Sequence, residues 1–491
     1  MKSKFSKVLS ILLSVVLVIS SFYLLYQVIR LNVLPSKFLF PLTIGVVVLD
    51  AIFILLLIYF SKNVVSKIVC IVLTLFICVA SCMGGYYISK TQNVLSNITN
   101  VAKHAKNTVS VIVKESSSIK NKSQLNGVSV GSLRLNEQGS KKVLKELSGE
   151  GIVLNQKEYD SMTALLEAFY NGEVDSIIIN ESSRSQILDM EAYSNFDSNT
   201  RVVYQTSYKV KNNDSATSVS DITSKPFNVL ISGSDTRGGF DENGRSDVIM
   251  IATVNPKTHT ILLTSVPRDF YVTTACDAGD GCMQGALDKI THTGIHGTNT
   301  TKRTVEQLLG IEINYTFKVG FDTVTELVDV LGGVDVYVEP GYATTTSEFS
   351  VHEGVNHLNA QQALAFARER YSYTEGDRQR TKNQQQVLMG IVKEATKPSV
   401  ITNYAAIMDT MANTFSTTMS NEEITDLIKY QLNNNPTWKM EQYMVDGTGD
   451  TLMCAELGDA ASVMVPDQST VKMAKDKINA VLAGKSSEDV K

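Results

Sequence analysis

The chain has 491 residues, 43% of them hydrophobic, with 45 basic against 50 acidic side chains and a formal net charge of −5. That length supplies an anchor and two domains with separate cores, and so mild a charge excludes binding of nucleic acid through the overall field of the protein.

Three apolar stretches come first, from about Val8 to Ile29, Phe38 to Phe60 and Val64 to Ile88. Each is near the ~20 residues that cross a bilayer as a helix, so residues 1–89 are predicted to form a three-helix membrane anchor. Lys2, Lys4 and Lys7 precede the first stretch, and Lys62 and Lys67 flank the turn between the second and third. This bias favours a cytoplasmic N-terminus, although Arg30 and Lys37 on the opposite loop work against it. Three crossings from an inside start put everything after about Lys90 outside. A cleaved signal peptide is the competing reading of Met1 to Ile29, but a small-residue cleavage site is missing and two more spans follow. Cys70, Cys78 and Cys82 read as small apolar residues of the third span. Asp50, inside the second, is expensive in lipid; a contact with another membrane protein or a protonated aspartate in a helix interface would account for it.

Residues 90–210 are expected to form a small α/β accessory domain. Its first part, Lys90 to Gln124, is a polar spacer broken by the strand-like Thr108–Lys114. Strands at Gly127–Val130, Gly151–Leu154 and Val174–Ile179 then alternate with helices at Glu137–Leu147 and Ser161–Tyr170, the pattern of a parallel or mixed sheet. Asn171-Gly-Glu-Val-Asp175-Ser-Ile-Ile-Ile resembles part of one lobe of a periplasmic solute-binding protein. A single lobe cannot close over a ligand, so scaffolding or partner contact is the expected role.

After a polar linker, residues 211–225, a second domain is expected over residues 226–485, with a tail at 486–491. Its first strand, Phe227–Ile231, leads into Ser232-Gly-Ser-Asp235, which puts Asp235 at a strand's carboxyl end, where α/β sheets place ligands. The next strands, Val248–Val254 and Thr260–Val266, are continuous apolar runs joined by the turn Asn255-Pro-Lys-Thr258. Antiparallel pairing across that turn makes neighbours of Arg245-Ser-Asp247, which leads into one strand, and Pro267-Arg268, which leaves the other. Further on come Arg368-Glu-Arg370, then Asp377-Arg378-Gln-Arg380 and Gln384, the last one helical turn beyond Arg380. Guanidinium forks fit phosphate oxygens, and carboxylates beside them hold a hard cation or orient the arginines. The set reads as a pyrophosphate site. A single Arg–Asp pair is ordinarily a surface ion pair worth under about 1 kcal/mol, which does not account for five arginines from three segments.

Cys276 and Cys282 close a short polar loop, and outside the cytoplasm they are expected to form a disulfide; two thiols with no nearby Cys or His pair fall short of zinc's four ligands. Cys454 is left over. His292 and His296, four apart, could face one side of a helix as metal ligands, but with no obvious third ligand a wall position near the site is favoured. A Walker lysine motif, a G-x-S-x-G elbow and H-E-x-x-H are all missing, which argues against an ATPase, a serine hydrolase and a zinc peptidase.

Gly233-x-Asp235-x-Arg237, Arg245-Ser-Asp247 and Ser265-x-Pro-Arg268-Asp269 resemble the LytR-CpsA-Psr family, as do Phe321-Asp-Thr-Val, Leu331-Gly-Gly-Val-Asp335-Val and Leu358-Asn-x-x-Gln-Ala-Leu-x-Phe-Ala-Arg368-x-Arg370. The likeness covers about Phe227 to Ile391, and the three-span anchor with accessory domain resembles the family's streptococcal capsule-biosynthesis branch. It implies an α/β/α catalytic domain around a central mixed sheet. It also implies transfer of a capsular polysaccharide or related glycopolymer from undecaprenyl pyrophosphate to peptidoglycan. On that reading Asp235 and Asp247 hold Mg²⁺, with Mn²⁺ as the alternative, while Arg245, Arg268, Arg368, Arg370, Arg380 and Gln384 bind the pyrophosphate. Arg268, Asp247 and Asp377 form the catalytic set, Asp377 orienting Arg380 rather than taking the acceptor's proton. The implied partners are the polyprenyl-pyrophosphate-linked polysaccharide, peptidoglycan, membrane lipid and other capsule-assembly membrane proteins, with no nucleic acid. Asn383 departs from the pattern, because most of the family carries arginine there; that phosphate contact would then be weaker or supplied by Lys382 or Arg378. A transcriptional attenuator and a polyprenyl-pyrophosphate phosphatase are the rivals. Too little of the chain faces the cytoplasm for a DNA-binding fold, whereas hydrolysis and transfer need the same clamp.

Overall fold

The computed structural model describes residues 2–60, 63–101, 104–134, 137–211, 214–234, 242–277, 281–397, 407, 410 and 415–490, which fall into two compact units. The first gathers Met1–Asn97 with Ala395–Ala412 and Ser420–Thr437. Its helices α1 (Lys2–Leu31), α2 (Ser36–Leu55, continued by a π-helical turn to Phe60) and α3 (Val64–Val101) are long and apolar enough to cross a membrane. Their outward faces are exposed apolar residues such as Phe22, Phe40 and Phe76, a distribution that suits lipid as the solvent. Asp50 has a partner within the chain, since Ser21 Oγ of α1 donates to its Oδ1 at 2.9 Å. Lys37, in the first turn of α2, donates to the carbonyl of Asn433 at 2.6 Å.

The second unit contains two sheets. In the first, β1 (His104–Lys114), β2 (Ser129–Leu133), β3 (Asn155–Tyr159), β4 (Ser176–Asn180) and β5 (Thr200–Lys211) lie in the order β3-β2-β4-β1-β5. β2 runs parallel to β3 and β4, while β1 is antiparallel to β4 and β5. Helix α4 (Glu137–Gly149) packs Val143 and Leu147 against Val109 and Val111, and α5 (Met162–Asn171) packs Leu165 and Phe169 against Ile112, so the alternation along β1 serves two cores. The short helix α6 (Arg184–Asp189) follows β4. The predicted strand Gly151–Leu154 lies instead at Asn155–Tyr159: Gly151, at φ +82°, turns the chain, and Ile152 and Leu154 tuck against α4 before pairing begins. The apolar residues belong to the approach, and the edge strand itself is polar.

The larger sheet has six strands. β6 (Phe227–Ser234), β7 (Ser246–Asn255) and β8 (Thr260–Val266) form an antiparallel meander around the predicted turn. The short strands β9 (Tyr271–Thr273) and β10 (Leu287–Lys289) pair separately. A 3₁₀ segment, Ile290–His296, leads to α7 (Thr298–Leu309) and β11 (Tyr315–Gly320), which joins β6 in parallel. Helix α8 (Phe321–Leu331), β12 (Val334–Val338), β13 (Gly354–Leu358), α9 (Ala360–Arg368) and α10 (Asp377–Ala395) build a second core from Val328, Val336, Phe366 and Val387. β14 (Phe415–Thr417) and β15 (Lys439–Met444) complete the sheet, in the order β14-β11-β6-β7-β8-β15. A hairpin of β16 (Gly447–Cys454) and β17 (Asp459–Pro466) precedes α11 (Gln468–Leu482). Val305 and Leu309 of α7 and Val471, Ala474 and Ile478 of α11 pack on Leu230, Ile251 and Leu262 of the sheet. The architecture is α/β with a mixed sheet.

Cys276 and Cys282 are disulfide-bonded, with Cα atoms 6.2 Å apart. So short a closed loop removes about 2 kcal/mol of chain entropy from the unfolded state. Mass analysis of non-reduced peptides should show the bridge in protein from an oxidising compartment, and Cys282→Ser should lower stability by about that amount in a denaturant titration. Two free thiols there would reject it. The anchor generates a second expectation: protease added to intact protoplasts should remove the chain beyond residue 90, and cleavage only after lysis would reverse the topology.

Candidate functional site

Strand register builds the site. Ser234 at the end of β6 stands opposite Ser246 at the start of β7, and Ile249 of β7 stands opposite Val266 at the end of β8. The start of β7 and the ends of β6 and β8 therefore share one end of the sheet. Asp247 accepts a hydrogen bond from Arg268 Nη1 at 2.9 Å and another from Thr291 Oγ1 at 3.3 Å, while its Oδ2 lies 3.8 Å from Arg245 Nη2. The Asp247 side chain is only 9% exposed. Backbone bonds fix the 3₁₀ segment beside it, Ile290 N to Phe270 O at 2.8 Å and Thr291 N to Arg268 O at 3.0 Å.

Helix α10 brings the next arginine. Gln385 pins that helix to the sheet by donating to the carbonyls of Tyr443 at 2.8 Å and Leu263 at 3.3 Å. Asp377, its first residue, forms an ion pair with Arg380 one turn on. Burial is the largest influence on Arg380 and weakens its hold on the proton; Asp377 and Asp247 oppose this, but Arg268 and Arg370 add to it, and the guanidinium ends below the ordinary arginine value. Arg268 goes the other way: burial disfavours its charge, yet Asp247 and Asp269 outweigh that and raise its pKa. The Nε atoms of Arg268 and Arg380 and the hydroxyls of Ser234 and Ser265 are buried without a hydrogen-bond partner among the described residues. An unmade buried bond costs roughly 1–3 kcal/mol, so these donors fit an anion that carries several oxygens.

Arg245, Asp247, Arg268, Asp377 and Arg380 thus assemble from the segments the sequence singles out, and Arg370 is close enough to act on Arg380. Arg370 lies 4.6 Å over the ring of the exposed Tyr371. Arg368 ends α9 with its side chain exposed, Gln384 is half-buried in α10, and Asp235 lies outside the described residues. Asn383 does not leave a gap in the clamp: it is buried, donates to the carbonyl of Phe366 at 3.0 Å and accepts from Gln379 at 2.9 Å, tying α10 to α9. Its suggested substitutes are engaged elsewhere, Arg378 with Asp446 and Lys382 with Glu375 at 3.5 Å and Glu339 at 3.9 Å.

His292 and His296 sit on the 3₁₀ segment and each meets its own carboxylate, Asp288 at 2.7 Å and Glu456 at 2.9 Å. Among the described residues no cluster of three His, Cys, Asp or Glu could hold a metal. Burial, with Asp288 beside it, pushes the Cys454 thiol up to about 12, which makes it inert at neutral pH.

Two partners were not visible in the sequence. Thr291, which orients Asp247, carries no motif. Asp189, at the end of α6 in the accessory domain, forms an ion pair with Nη1 of Arg245 from 56 residues away.

The family model described as LytR_cpsA_psr family matches residues 192–480, over half the chain. The chain belongs to the LytR-CpsA-Psr family. Among relatives, the polyisoprenyl-teichoic acid–peptidoglycan teichoic acid transferase TagU of Bacillus cereus (strain AH820) is 31% identical over 241 residues, 48% of this chain and 76% of its own. The protein of the same name from Bacillus subtilis (strain 168) is 34% identical over 203 residues, 41% of this chain and 63% of its own. Among solved structures, B. subtilis TagU is 28% identical and covers 52% of this chain and 97% of its own, with a TM-score of 0.41. LytR-CpsA-Psr membership fits the arginine–aspartate end of the sheet, which is where the family resemblance in the sequence is densest.

Gly294 permits the close approach that places Asp247. A Cβ there would stand 2.5 Å from the Gly244 carbonyl and 2.6 Å from the Ser246 amide. Gly294→Ala should therefore cost about 1–3 kcal/mol in a thermal or denaturant melt and displace the start of β7, weakening anion binding as well. Unchanged stability would mean the segment shifts freely.

Proposed function

We propose that this membrane-anchored chain transfers a glycopolymer from a polyprenyl-pyrophosphate carrier to peptidoglycan, with a capsular polysaccharide on undecaprenyl pyrophosphate as the donor. The observation that carries the reading is the arginine set whose buried Nε donors on Arg268 and Arg380 have no hydrogen-bond partner among the described residues. A pyrophosphate offers the charge and the number of acceptors this set needs, and the TagU relatives are named as transferases of a polyisoprenyl-linked polymer to peptidoglycan.

In the reaction the acceptor hydroxyl bonds to the phosphorus next to the polymer, the anhydride bond to the polyprenyl phosphate breaks with its electron pair on the leaving oxygen, and the hydroxyl's proton is released to water. Arg268 and Arg380 stabilise charge that grows on the phosphate oxygens, the dominant task in phosphoryl transfer. Arg245 and Arg370 extend the clamp, joined by Arg368 and Gln384. Asp377 is a positioning residue that fixes Arg380. Asp247 accepts from Arg268 and Thr291 through Oδ1, and its Oδ2, 3.8 Å from Arg245 Nη2, is a hard oxygen beside the arginine set. That suits Mg²⁺, which takes one or two carboxylates and completes its shell with phosphate and water. Asp247 and Asp235 would hold it, and it would neutralise charge on the pyrophosphate.

The electrostatics separate activity from stability. Burial, and then Arg268 and Arg370, disfavour the charge on Arg380, so Arg380→Gln should leave the melting temperature unchanged or higher while lowering polymer attachment on the order of 10²-fold, about 3 kcal/mol in the transition state. Arg370→Ala should act likewise, and Arg370→Lys should rescue poorly because an ammonium lacks the bidentate fork. The assay is wall-linked against released polymer in cells without a redundant paralogue. Normal attachment in both loss variants would sink the assignment.

A further inference from the structure

The accessory domain reaches the arginine set through one side chain. Asp189 pairs with Nη1 of Arg245, whose side chain is 8% exposed, while Asp189 is 60% exposed. Arg245 thus stands between two carboxylates, Asp189 on Nη1 and Asp247 at 3.8 Å from Nη2.

The two are unequal. Asp247 is buried and held by Arg268 and Thr291. Asp189 faces solvent, and among the described residues Arg245 is its only ion-pair partner. A phosphate that bridges Nη1 and Nη2 of Arg245 competes with the carboxylates on those two nitrogens. Leaving Asp247 in place preserves its contacts with Arg268 and Thr291, whereas Asp189 gives up one ion pair and its exposed side chain turns to water. The oxygen that gives way is the one on Asp189.

Its position is built. Arg184, at the start of α6, is buried between Glu181 at 2.6 Å and Asp197 at 2.9 Å, which fixes the helix that ends in Asp189. Met190, the next residue, packs against Cys454, Leu457 and Val463 near the β16–β17 hairpin, and Thr163 N donates to the Leu457 carbonyl at 3.3 Å. A second link lies just before Arg245: Glu242 accepts from Thr108 and pairs with Lys106 of β1 at 3.3 Å. The carboxylate is therefore delivered to Arg245 by a docked surface rather than by a loose loop.

We propose that Asp189 is a positioning residue of the donor site, supplied by the accessory domain: it occupies a phosphate-oxygen position on Arg245 between turnovers and is exchanged for the pyrophosphate. This rests on the arginine set being the pyrophosphate site. The accessory domain thereby sets donor affinity, and it senses occupancy because binding releases Asp189.

The test uses the full-length protein in detergent with inorganic pyrophosphate as probe. Asp189→Asn should bind pyrophosphate several-fold tighter, because the competing charge is gone. Asp189→Glu should keep most of the competition, and adding Arg245→Ala should erase the gain from Asn. In turnover, Asp189→Asn should lower the KM for the lipid-linked donor without raising kcat. Equal or weaker binding by Asp189→Asn, or a gain that survives Arg245→Ala, would overturn the inference. If Arg268→Ala and Arg380→Gln weaken pyrophosphate binding while Asp189→Asn fails to tighten it, this inference alone falls. If those arginine variants bind as the unmodified chain does, or if the chain binds no pyrophosphate, the site reading fails and takes the inference with it.

Discussion

The contact between Asp247 and Arg268 is the constraint around which the site is organised. It joins the start of one strand to the loop beyond the next, and both groups are largely buried, so each needs the other; removing one partner of a buried pair commonly costs about 3–5 kcal/mol. Thr291 and the backbone bonds of the 3₁₀ segment exist around that pair, and Gly294 is small so that the segment can press against β7. Arg245 and Arg380 enter a field this pair has already set. Burial, with Arg268 and Arg370 nearby, disfavours the charge on Arg380 by more than Asp377 and Asp247 restore.

Such an arrangement is poor for stability and good for binding an anion. A cluster built only to hold the fold would have hydrogen-bonded every Nε. Here the contacts that position side chains are made, as with Asp377 on Arg380 and Gln385 on the strand carbonyls, while among the described residues the Nε atoms of Arg268 and Arg380 go without a partner. The structure assigns stability to the two apolar cores, one under α7 and α11 and one among α8, α9 and α10.

Much of this could be read from the chain because the determining contacts are local in topology. The turn Asn255–Thr258 forces β7 against β8, and that register alone carries Asp247 to Arg268. The arginine and aspartate motifs lie on either side of apolar strands whose burial is obvious from composition. What escaped has a common physical cause. β3 and β5 are partly polar edge strands, paired through backbone groups that leave little trace in side-chain pattern. Asn383 looks like a lost arginine until its amide is seen bridging two helices. Asp189 meets Arg245 only because two separate sheets dock, and no local periodicity encodes a contact between domains.

The hydrogen bond from Ser21 to Asp50 bears on how the protein finds its company. A carboxyl in hydrocarbon is a claim on some donor, and in many membrane proteins the claim is settled by a neighbouring subunit. Here it is settled inside the chain, between the first two spans. The helical hairpin can therefore assemble as it inserts, without waiting for another protein, and prising the two helices apart would strand a polar group in lipid. Asp50 thus ties α1 to α2 within a single chain.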